Sequence, residues 1–230
     1  MHDALAPEHF ADWNEQMILR YDPDVFNHHP RSLVRWVENK RHAQVIRLLA
    51  ARPEHRILDV GCGAGYILSK LPGAFRHGLD ISTFMVKRAQ ERLGNDATIV
   101  QGDAEKLPYP DASFDRVIAS SLLSHVLHPE QVVRELRRVV TPNGRVVISV
   151  CDEDQIERGM AWMNSLGALG RLFVGSESQP KVYNVEYHLQ KFSLPRLREV
   201  VGTTLKEIAV RRVPVVFPVH AVAVYTPPLM

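Results

Sequence analysis

The sequence predicts an α/β fold in which helices cover both faces of a mostly parallel sheet. Up to residue 150, short apolar segments alternate five times with segments of helical periodicity, which is the pattern of a doubly wound sheet. Near the C-terminus, two further strands are separated only by Pro214–Pro218. This link is too short for a crossover helix, so the two strands must pair antiparallel. A cluster of glycines after the first strand marks the edge of the sheet where a ligand is expected.

The predicted first strand and its glycine turn occupy Arg56–Gly65, with the sequence Arg-Ile-Leu-Asp-Val-Gly-Cys-Gly-Ala-Gly. The apolar residues form a short run typical of a buried parallel strand. Glycines follow at the alternate positions 61, 63 and 65, and glycine lets the backbone turn sharply or lie directly against a ligand. A helix is predicted to begin at Tyr66, which makes the unit a strand, a glycine turn and a helix.

The spacing of the glycines distinguishes two classes of nucleotide. A dinucleotide fingerprint, G-x-G-x-x-G, has a third glycine where this chain has Tyr66, so that helix and strand pack closely beside the pyrophosphate. Here the third glycine comes one residue early, at Gly65, and Asp59 precedes the turn. An acid close to the turn suits the ammonium group of S-adenosylmethionine and does not help to bind a pyrophosphate. The spacing therefore favours the methyl donor.

The segment Asp59–Gly65, Asp-Val-Gly-Cys-Gly-Ala-Gly, resembles the first motif of the class I S-adenosylmethionine-dependent methyltransferases. Over residues 40–150 the sequence is most similar to their small-molecule branch, which includes the quinone-biosynthesis methyltransferases. The resemblance implies a Rossmann-like sheet of seven strands in the order 3-2-1-4-5-7-6, with strand 7 antiparallel and N-terminal helices as a cap. It also implies S-adenosyl-L-methionine as the cofactor and S-adenosyl-L-homocysteine as the product.

The second predicted strand, Phe75–Ile81, contains Asp80 at its tip. An acid about 20 residues beyond the glycine turn is placed to accept hydrogen bonds from both ribose hydroxyls. The alternative is that Asp80 caps the helix predicted over Ser82–Leu93, although Ser82 can cap it instead. Met85 lies one turn into that helix, where the family often packs an apolar side chain on adenine. The alternative for Met85 is an ordinary position in the core.

The third predicted strand, Ala97–Gln101, is followed by Gly102, Asp103 and Ala104. A carboxylate here can accept from the adenine amino group while backbone amides around Ala104 contact the ring, and the segment resembles the family's adenine site. The fourth predicted strand is Phe114–Ser120. The predicted cofactor-binding residues are Asp59, Gly61, Cys62, Gly63, Gly65, Asp80, Ile81, Met85, Gly102, Asp103, Ala104 and Ser120.

His125 follows the fourth strand, in the segment Ser120–Pro129, where an open α/β sheet forms its ligand crevice. The resembled methyltransferases often carry a histidine there, and an imidazole is suited to take a proton at neutral pH. His125 is therefore the candidate catalytic base, and the alternative is that it fixes the loop or lines the cofactor pocket. No metal site is predicted, because the adjacent histidines of Asn27–Pro30 lack a further ligand at helical spacing.

Two helices are predicted before the first strand, at residues 9–20 and Ser32–Ala51. In the resembled family such leading helices cover the cofactor and shape the acceptor pocket. Tyr21 and Trp36 are therefore candidate ligand contacts, and the alternative for each is a packing role.

The part of the chain beyond the fourth strand changes pattern. A helix is predicted over Pro129–Val140, a turn over Thr141–Gly144 and the fifth strand over Arg145–Val150. The long connection 151–192 then carries an apolar stripe at helical spacing, which forms either core or the wall or lid of an acceptor pocket. The stripe consists of Trp162, Leu166, Leu169 and Phe173, and three candidate acceptor contacts follow it, Tyr183, Tyr187 and His188.

A helix over Ser193–Val201 and strands over Leu205–Val213 and His220–Thr226 complete the prediction. We expect one domain over residues 1–230, because 230 residues and 26.1 kDa suit one large core. Its parts are an N-terminal helical cap (1–52), a cofactor-binding core (53–150), an acceptor-pocket or lid insertion (151–192), and a final helix with an antiparallel hairpin (193–230).

The composition disfavours several classes of protein. With 28 basic and 26 acidic residues the net charge is +2, so bulk charge does not attract nucleic acid, and none is expected as a partner. The two cysteines, Cys62 and Cys151, form no disulfide framework and suit a reducing cytoplasm. No targeting segment and no uninterrupted apolar run of about 18 residues is found. We therefore expect a cytoplasmic protein without a membrane anchor.

These observations favour an S-adenosylmethionine-dependent methyltransferase that transfers a methyl group to a small-molecule acceptor by in-line displacement. The sulfonium is already a good leaving group, so the protein mainly positions the acceptor and excludes water. The alternatives are an RNA-modifying methyltransferase, a non-catalytic module that binds S-adenosylmethionine, and an NAD-dependent reductase. Tyr66 disfavours the reductase, and the presence of only two cysteines disfavours arsenic methylation. The acceptor, the methylated atom and the oligomeric state stay open.

Overall fold

The computed structural model describes residues 9–22, 32–73, 75–165, 188–214 and 219–228. Within these ranges the α-helices are α1 (Phe10–Tyr21), α2 (Ser32–Leu49), α3 (Thr83–Leu93), α4 (Pro129–Val139), α5 (Glu153–Ser165) and α6 (Leu194–Val201). The strands are β1 (Ile57–Val60), β2 (Arg76–Asp80), β3 (Thr98–Gln101), β4 (Phe114–Ser120), β5 (Val140–Cys151), β6 (Lys206–Val213) and β7 (His220–Thr226).

The seven strands form one sheet in the order β3-β2-β1-β4-β5-β7-β6. Strand β1 pairs in parallel with β2 on one side and with β4 on the other, and β7 runs antiparallel to both β5 and β6. The predicted strand order and the antiparallel final strand are confirmed. Because the order reverses beside β1, the carboxyl ends of β1 and β4 border the crevice where ligands bind in sheets of this kind.

Both faces of the sheet are buried, which explains why its central strands are continuous apolar runs in the sequence. On one face, Ile57, Ile118 and Val147 pack with apolar residues of α2 and α3. On the other face, Leu58 and Val117 pack with apolar residues of α4 and α6. Neighbouring residues of one strand thus belong to opposite layers, and the two layers fix the loops at the carboxyl edge of the sheet.

The helix predicted from Tyr66 onward is wrong. Among the described residues between β1 and β2, the only helical segment is a 3-10 turn at Leu68–Lys70. Pro72 and Gly73 follow so soon after the glycine turn that an α-helix has no room to form. The apolar spacing that suggested a helix has another cause, since Leu68 and Leu71 are buried against the core.

The turn predicted at Thr141–Gly144 lies inside a strand. Strand β5 begins at Val140, which pairs with Phe114, and the regular ladder resumes where Arg145 pairs with Arg116. The residues between them have no counterpart on β4, so they form a bulge. The predicted strand is therefore correct from Arg145 onward but begins too late.

Helix α1 packs against the start of α3 beside the glycine turn. Ile18 of α1 contacts Ala64 and Met85, and the Glu15 carboxylate accepts a hydrogen bond from the Phe84 backbone N–H at 3.0 Å. This arrangement places α1 at the mouth of the glycine turn.

Several side chains of the predicted acceptor region are exposed or lie outside the described residues. Trp36 is 46% exposed and Trp162 is 54% exposed, so neither is a core residue. The guanidinium of Arg20 covers the ring of Tyr21 at 5.1 Å. Outside the described residues lie Leu166, Leu169, Phe173, Tyr183, Tyr187 and the loop Asn27–Pro30. No helix in the described ranges has both the length and the apolar composition required to span a bilayer.

Candidate cofactor and acceptor site

The turn after β1 bends over the end of β2. The backbone N–H groups of Gly61 and Cys62 both donate to the Leu79 carbonyl, at 2.7 and 3.0 Å. Gly61, Gly63 and Gly65 have φ angles of +69°, +52° and +75°. These angles lie in the left-handed region that glycine adopts without strain, so the shape of the turn depends on glycine at all three positions.

The three glycines of the turn meet different surroundings. A Cβ atom at Gly61 would lie 2.8 Å from Cδ1 of Leu122, and one at Gly65 would lie 2.8 Å from Cδ1 of Leu93. A Cβ atom at Gly63 would meet no atom within 4 Å. A side chain at Gly61 or Gly65 would therefore have to displace a neighbouring leucine, whereas Gly63 borders open space beside the backbone.

Asp80 lies at the end of β2 and its carboxylate is directed toward the glycine turn. One oxygen accepts from the Gly63 backbone N–H at 2.8 Å, and the other accepts from the Ser82 backbone N–H at 3.0 Å. Burial raises the pKa of Asp80, and these backbone hydrogen bonds oppose the rise. Ser82 is the N-cap of α3, since its hydroxyl accepts from the Met85 N–H at 3.1 Å. The capping role considered for Asp80 is thus filled by Ser82.

Asp59 lies on β1 directly before the turn and is 1% exposed. Its Oδ1 atom is buried without a hydrogen-bond partner. Burial and the charge of Asp80 raise the pKa of Asp59 to about 8, and the charge of Arg41 opposes this shift. A buried carboxyl with an unsatisfied oxygen gains most from a cationic group placed beside it.

The residues predicted to contact adenine divide into exposed and buried ones. Asp103 is exposed, and its Oδ1 accepts from the Glu105 backbone N–H at 2.8 Å. Ala104 is 7% exposed and Met85 only 1% exposed. The surroundings of Met85 favour the core alternative, because it packs with Ile18 and Ala64.

The other predicted cofactor residues mainly shape the crevice. Cys62 is buried, and burial raises the pKa of its thiol well above the ordinary value. A Cβ atom at Gly102 would lie 2.9 Å from Cδ1 of Leu79, so a side chain there would have to displace Leu79. The Ile81 carbonyl accepts a hydrogen bond from the Gln101 side chain at 3.1 Å.

Ser120 belongs to a buried polar network that the sequence did not reveal. Arg41 of α2 donates to the Ser120 hydroxyl at 2.5 Å and to Glu38 at 2.5 Å. The other Glu38 oxygen is 3.1 Å from Nε2 of His220. Burial alone would raise the pKa of Glu38, but the charge of Arg41 and the hydrogen bond to His220 hold it well below its ordinary value.

One pattern in the sequence points to this network. Arg41 shares a helix face with Val45 and Leu49, which are both fully buried. A charged residue on the buried face of a helix requires a partner inside the protein. Arg41 also influences Asp59 electrostatically, so the network adjoins the glycine turn.

Two histidines and a glutamate meet beyond the ends of β4 and β5. The rings of His125 and His188 are in edge-to-face contact, with centroids 4.8 Å apart. Nδ1 of His188 is 3.1 Å from Oε1 of Glu153, the first residue of α5. His128, by contrast, is exposed and pairs with Glu105 at 2.7 Å. Among the described residues, no group of three or more metal-ligating side chains is arranged to hold a metal ion.

Comparisons with known proteins agree with this geometry. Residues 58–148 match the family model described as a methyltransferase domain. The chain is 33% identical over 147 residues to the malonyl-[acyl-carrier protein] O-methyltransferase of Erwinia pyrifoliae, a match that covers 62% of this chain and 56% of that protein. It is 35% identical over 113 residues to a ubiquinone/menaquinone biosynthesis C-methyltransferase of Ectopseudomonas mendocina, covering 45% of this chain and 44% of that protein.

A solved structure has a similar fold over most of the length of the chain. The fold is similar to that of a protein from Pyrococcus horikoshii OT3, with a TM-score of 0.64 at 21% identity, covering 91% of this chain and 99% of the other. At that identity the likeness concerns the fold alone. The matches to the first curated relatives span between 33% and 56% of their length. Residues 58–148 therefore match a methyltransferase domain, in a sheet with the strand order expected of the class I S-adenosylmethionine-dependent methyltransferases.

Proposed function

We propose that this protein transfers a methyl group from S-adenosylmethionine to a small-molecule acceptor. The observation that carries the proposal is the Asp80 carboxylate beside the Gly63 N–H at 2.8 Å, next to the open space at Gly63. A nucleoside can lie against a bare backbone only where no side chain intervenes. A carboxylate at the tip of the adjacent strand is suited to hold its ribose hydroxyls.

The residues around the turn receive the following roles in this proposal. Asp80 accepts hydrogen bonds from the ribose, and Asp103 with the backbone at Ala104 holds the adenine. Asp59 neutralises the ammonium group, which supplies the partner that the buried Oδ1 atom of Asp59 lacks. When bound, the cofactor supplies a methyl group on a sulfonium leaving group, so the protein has to orient the acceptor and exclude water.

The end of β4 is assigned to the acceptor. Ser120 is fixed by Arg41 at the carboxyl edge of the sheet, and His125 follows in the loop that packs over Gly61 through Leu122. We propose that His125 lines the acceptor side of the crevice. The two curated relatives described above carry names of enzymes that methylate a carrier-bound acid and a quinone precursor, which favours an acceptor outside the nucleic acids.

Calorimetric titration with S-adenosylmethionine tests this function. We expect the wild type to bind and the Asp80→Asn variant to bind about 10- to 150-fold more weakly, because a hydrogen bond to a charged group contributes about 1.5–3 kcal/mol. Asp96→Asn is the matched control, since Asp96 is 79% exposed at the far end of α3. Absence of binding to the wild type, or equal affinity of all three proteins, would contradict the proposal.

The RNA-modifying alternative has its own test. Because the net charge is only +2, we expect no salt-sensitive binding of transfer RNA in a filter assay. Binding that weakens steeply with salt would instead favour an RNA acceptor.

A further inference from the structure

The side chains of Glu153, His188 and His125 form a chain of contacts beyond the carboxyl ends of β4 and β5, where the proposed function places the acceptor. Nδ1 of His188 lies 3.1 Å from Oε1 of Glu153, and the His188 ring meets the His125 ring edge-to-face at 4.8 Å. The side chains of His188 and Glu153 are 18% and 11% exposed. All three residues are thus held in a partly enclosed place.

The surrounding backbone fixes this group to the end of the sheet. The Leu189 N–H donates to the Ser124 carbonyl at 2.8 Å, which ties His188 to the loop after β4. The Glu153 carboxylate also accepts from the Phe192 N–H at 3.3 Å. Leu122 of the same loop approaches Gly61, so the loop that carries His125 also contacts the glycine turn that receives the cofactor in the proposed function.

The contact with Glu153 determines which nitrogen of His188 is basic. A carboxylate accepts a hydrogen bond, so Nδ1 carries the proton and donates to Glu153. The neutral ring then has its lone pair on Nε2. A carboxylate behind an imidazole both orients the ring and stabilises the cation formed when Nε2 takes up a proton, as it does in hydrolase triads.

We propose that His188, positioned by Glu153 and flanked by His125, accepts the proton of the methyl acceptor, and that this acceptor is a phenol or an enol. The inference rests on the proposed methyltransferase function. As the acceptor attacks, its hydroxyl proton passes to Nε2 of His188 while an electron pair of the acceptor forms the bond to the methyl carbon. The pair of the broken carbon–sulfur bond remains on sulfur, which becomes a neutral thioether.

The class of acceptor follows from what a base is needed for. An aromatic amine is neutral near pH 7, so it already has a lone pair for attack and loses its proton afterwards, and a thiol with a pKa of about 8.5 ionises more readily than a phenol with a pKa of about 10. A phenolic or enolic hydroxyl keeps its proton at neutral pH, so removal by an imidazole raises its nucleophilicity when the methyl group is transferred. Oxygen or the conjugated carbon of the same acceptor can then be methylated.

The other charged groups near His188 have partners of their own. The Asp152 carboxyl accepts from the Gln155 and Leu194 backbone N–H groups, and burial raises its pKa. Lys191 is paired with Glu157. Glu153 is therefore the charged group that contacts the His188 ring directly in the described part of the chain.

The test uses catechol as acceptor, aniline as an aromatic amine of similar size that is neutral near pH 7, and radiolabelled S-adenosylmethionine. We expect transfer to catechol and not to aniline. His188→Gln should lower kcat for catechol about 100-fold with KM little changed, because general base catalysis contributes about 10²- to 10⁴-fold. Exposed His128 pairs with Glu105, and His128→Gln is the matched control with unchanged kcat.

Two further readouts separate a proton-transfer role from a structural one. In Glu153→Gln, the acid limb of the pH–rate profile should move to lower pH, because an amide stabilises a protonated imidazole less than a carboxylate does. With S-adenosylhomocysteine bound, the wild type should increase the phenolate absorbance of 4-nitrophenol at pH 6, and His188→Gln should not.

Each result bears on one of the two proposals. Transfer to aniline but not to catechol, equal transfer to both, transfer to neither, or a kcat of His188→Gln within twofold of wild type would overturn the inference. An unmoved acid limb in Glu153→Gln would overturn the positioning role. Calorimetry with S-adenosylmethionine on every variant checks the fold, and failure of the wild type itself to bind would overturn the proposed function instead.

Discussion

The surroundings of Asp59 disfavour its ionised form. It is 1% exposed, its Oδ1 atom has no partner, and burial with the charge of Asp80 raises its pKa to about 8. An acid in such a place destabilises the ligand-free protein whenever it ionises. The same features make it a favourable partner for a buried cation, which is why we assign the cofactor's ammonium group to it.

Ligand-free Asp59→Asn should be more stable than the wild type, by a margin that widens with pH. The folded-state pKa of Asp59 is raised from 3.8 to about 8. The stability linked to its proton is therefore fully present below pH about 4 and is lost progressively as pH rises toward about 8. We expect a difference on the order of a few kcal/mol at pH 8 and much less at pH 5.

Urea unfolding of both proteins at pH 5 and pH 8 measures this difference. Asp96→Asn serves as control, because that side chain is 79% exposed and its replacement should leave the pH dependence unchanged. A margin for Asp59→Asn that stays constant or shrinks between the two pH values would refute the assigned surroundings of Asp59.

The glycine turn after β1 contains two glycines that pack against leucine side chains and one, Gly63, that borders open space. Gly63 and Gly94 offer a matched pair, since both have φ +52° and a Cβ atom added at either position would meet no atom within 4 Å. Gly94 caps the C-terminus of α3, and Gly63 lies in the turn. Their replacement by alanine therefore separates backbone strain from interference with a ligand.

We expect Gly63→Ala and Gly94→Ala to lower the free energy of unfolding by a similar amount, about 1–2 kcal/mol each, the cost of a side chain in the left-handed region. Only Gly63→Ala should also weaken S-adenosylmethionine binding, by about tenfold or more, because its methyl group would occupy the space of the nucleoside. Thermal unfolding and calorimetry measure the two effects. Equal affinity of both variants would show that no ligand lies against Gly63.

Helix α2 contributes a second element, the buried ion pair of Glu38 with Arg41. Replacing one partner leaves the other buried charge unpaired. We therefore expect Glu38→Gln or Arg41→Met alone to lower the free energy of unfolding by about 3–5 kcal/mol. The double variant should cost clearly less than the sum of the two. The exposed pair of Arg198 with Glu207 is the control, with a coupling of about 0–1 kcal/mol. Additive costs for Glu38 and Arg41 in denaturant unfolding would argue against their coupling.

For the whole molecule, strand order could be predicted because it follows from local pattern and connection length. Buried strands are short apolar runs, and the brief Pro214–Pro218 link permits only an antiparallel pair. The helix at Tyr66 was predicted wrongly because Leu68 and Leu71 have helical spacing, yet Pro72 and Gly73 end the segment before a helix can form. Periodicity alone does not detect that limit of length.

The sequence predicts the candidate site only in part. Asp59 and Asp80 are predictable because they stand at fixed places relative to the glycines. The pairing of Arg41 with Ser120 joins residues 79 positions apart, and that of His188 with Glu153 joins residues 35 apart. Such contacts depend on how the layers pack, so the sequence can place Arg41 on a buried helix face but does not identify the partner that it meets there.

The central claim is that the nucleoside of the cofactor lies between Gly63, Asp80 and Asp103. A crystal structure with S-adenosylhomocysteine tests it most directly, through the distance between the Asp80 carboxylate and the ribose hydroxyl oxygens. We predict a separation of about 2.5–3.0 Å, with the adenine beside Asp103 and Ala104. A nucleoside bound elsewhere, or ribose oxygens beyond about 4 Å from Asp80, would contradict the claim.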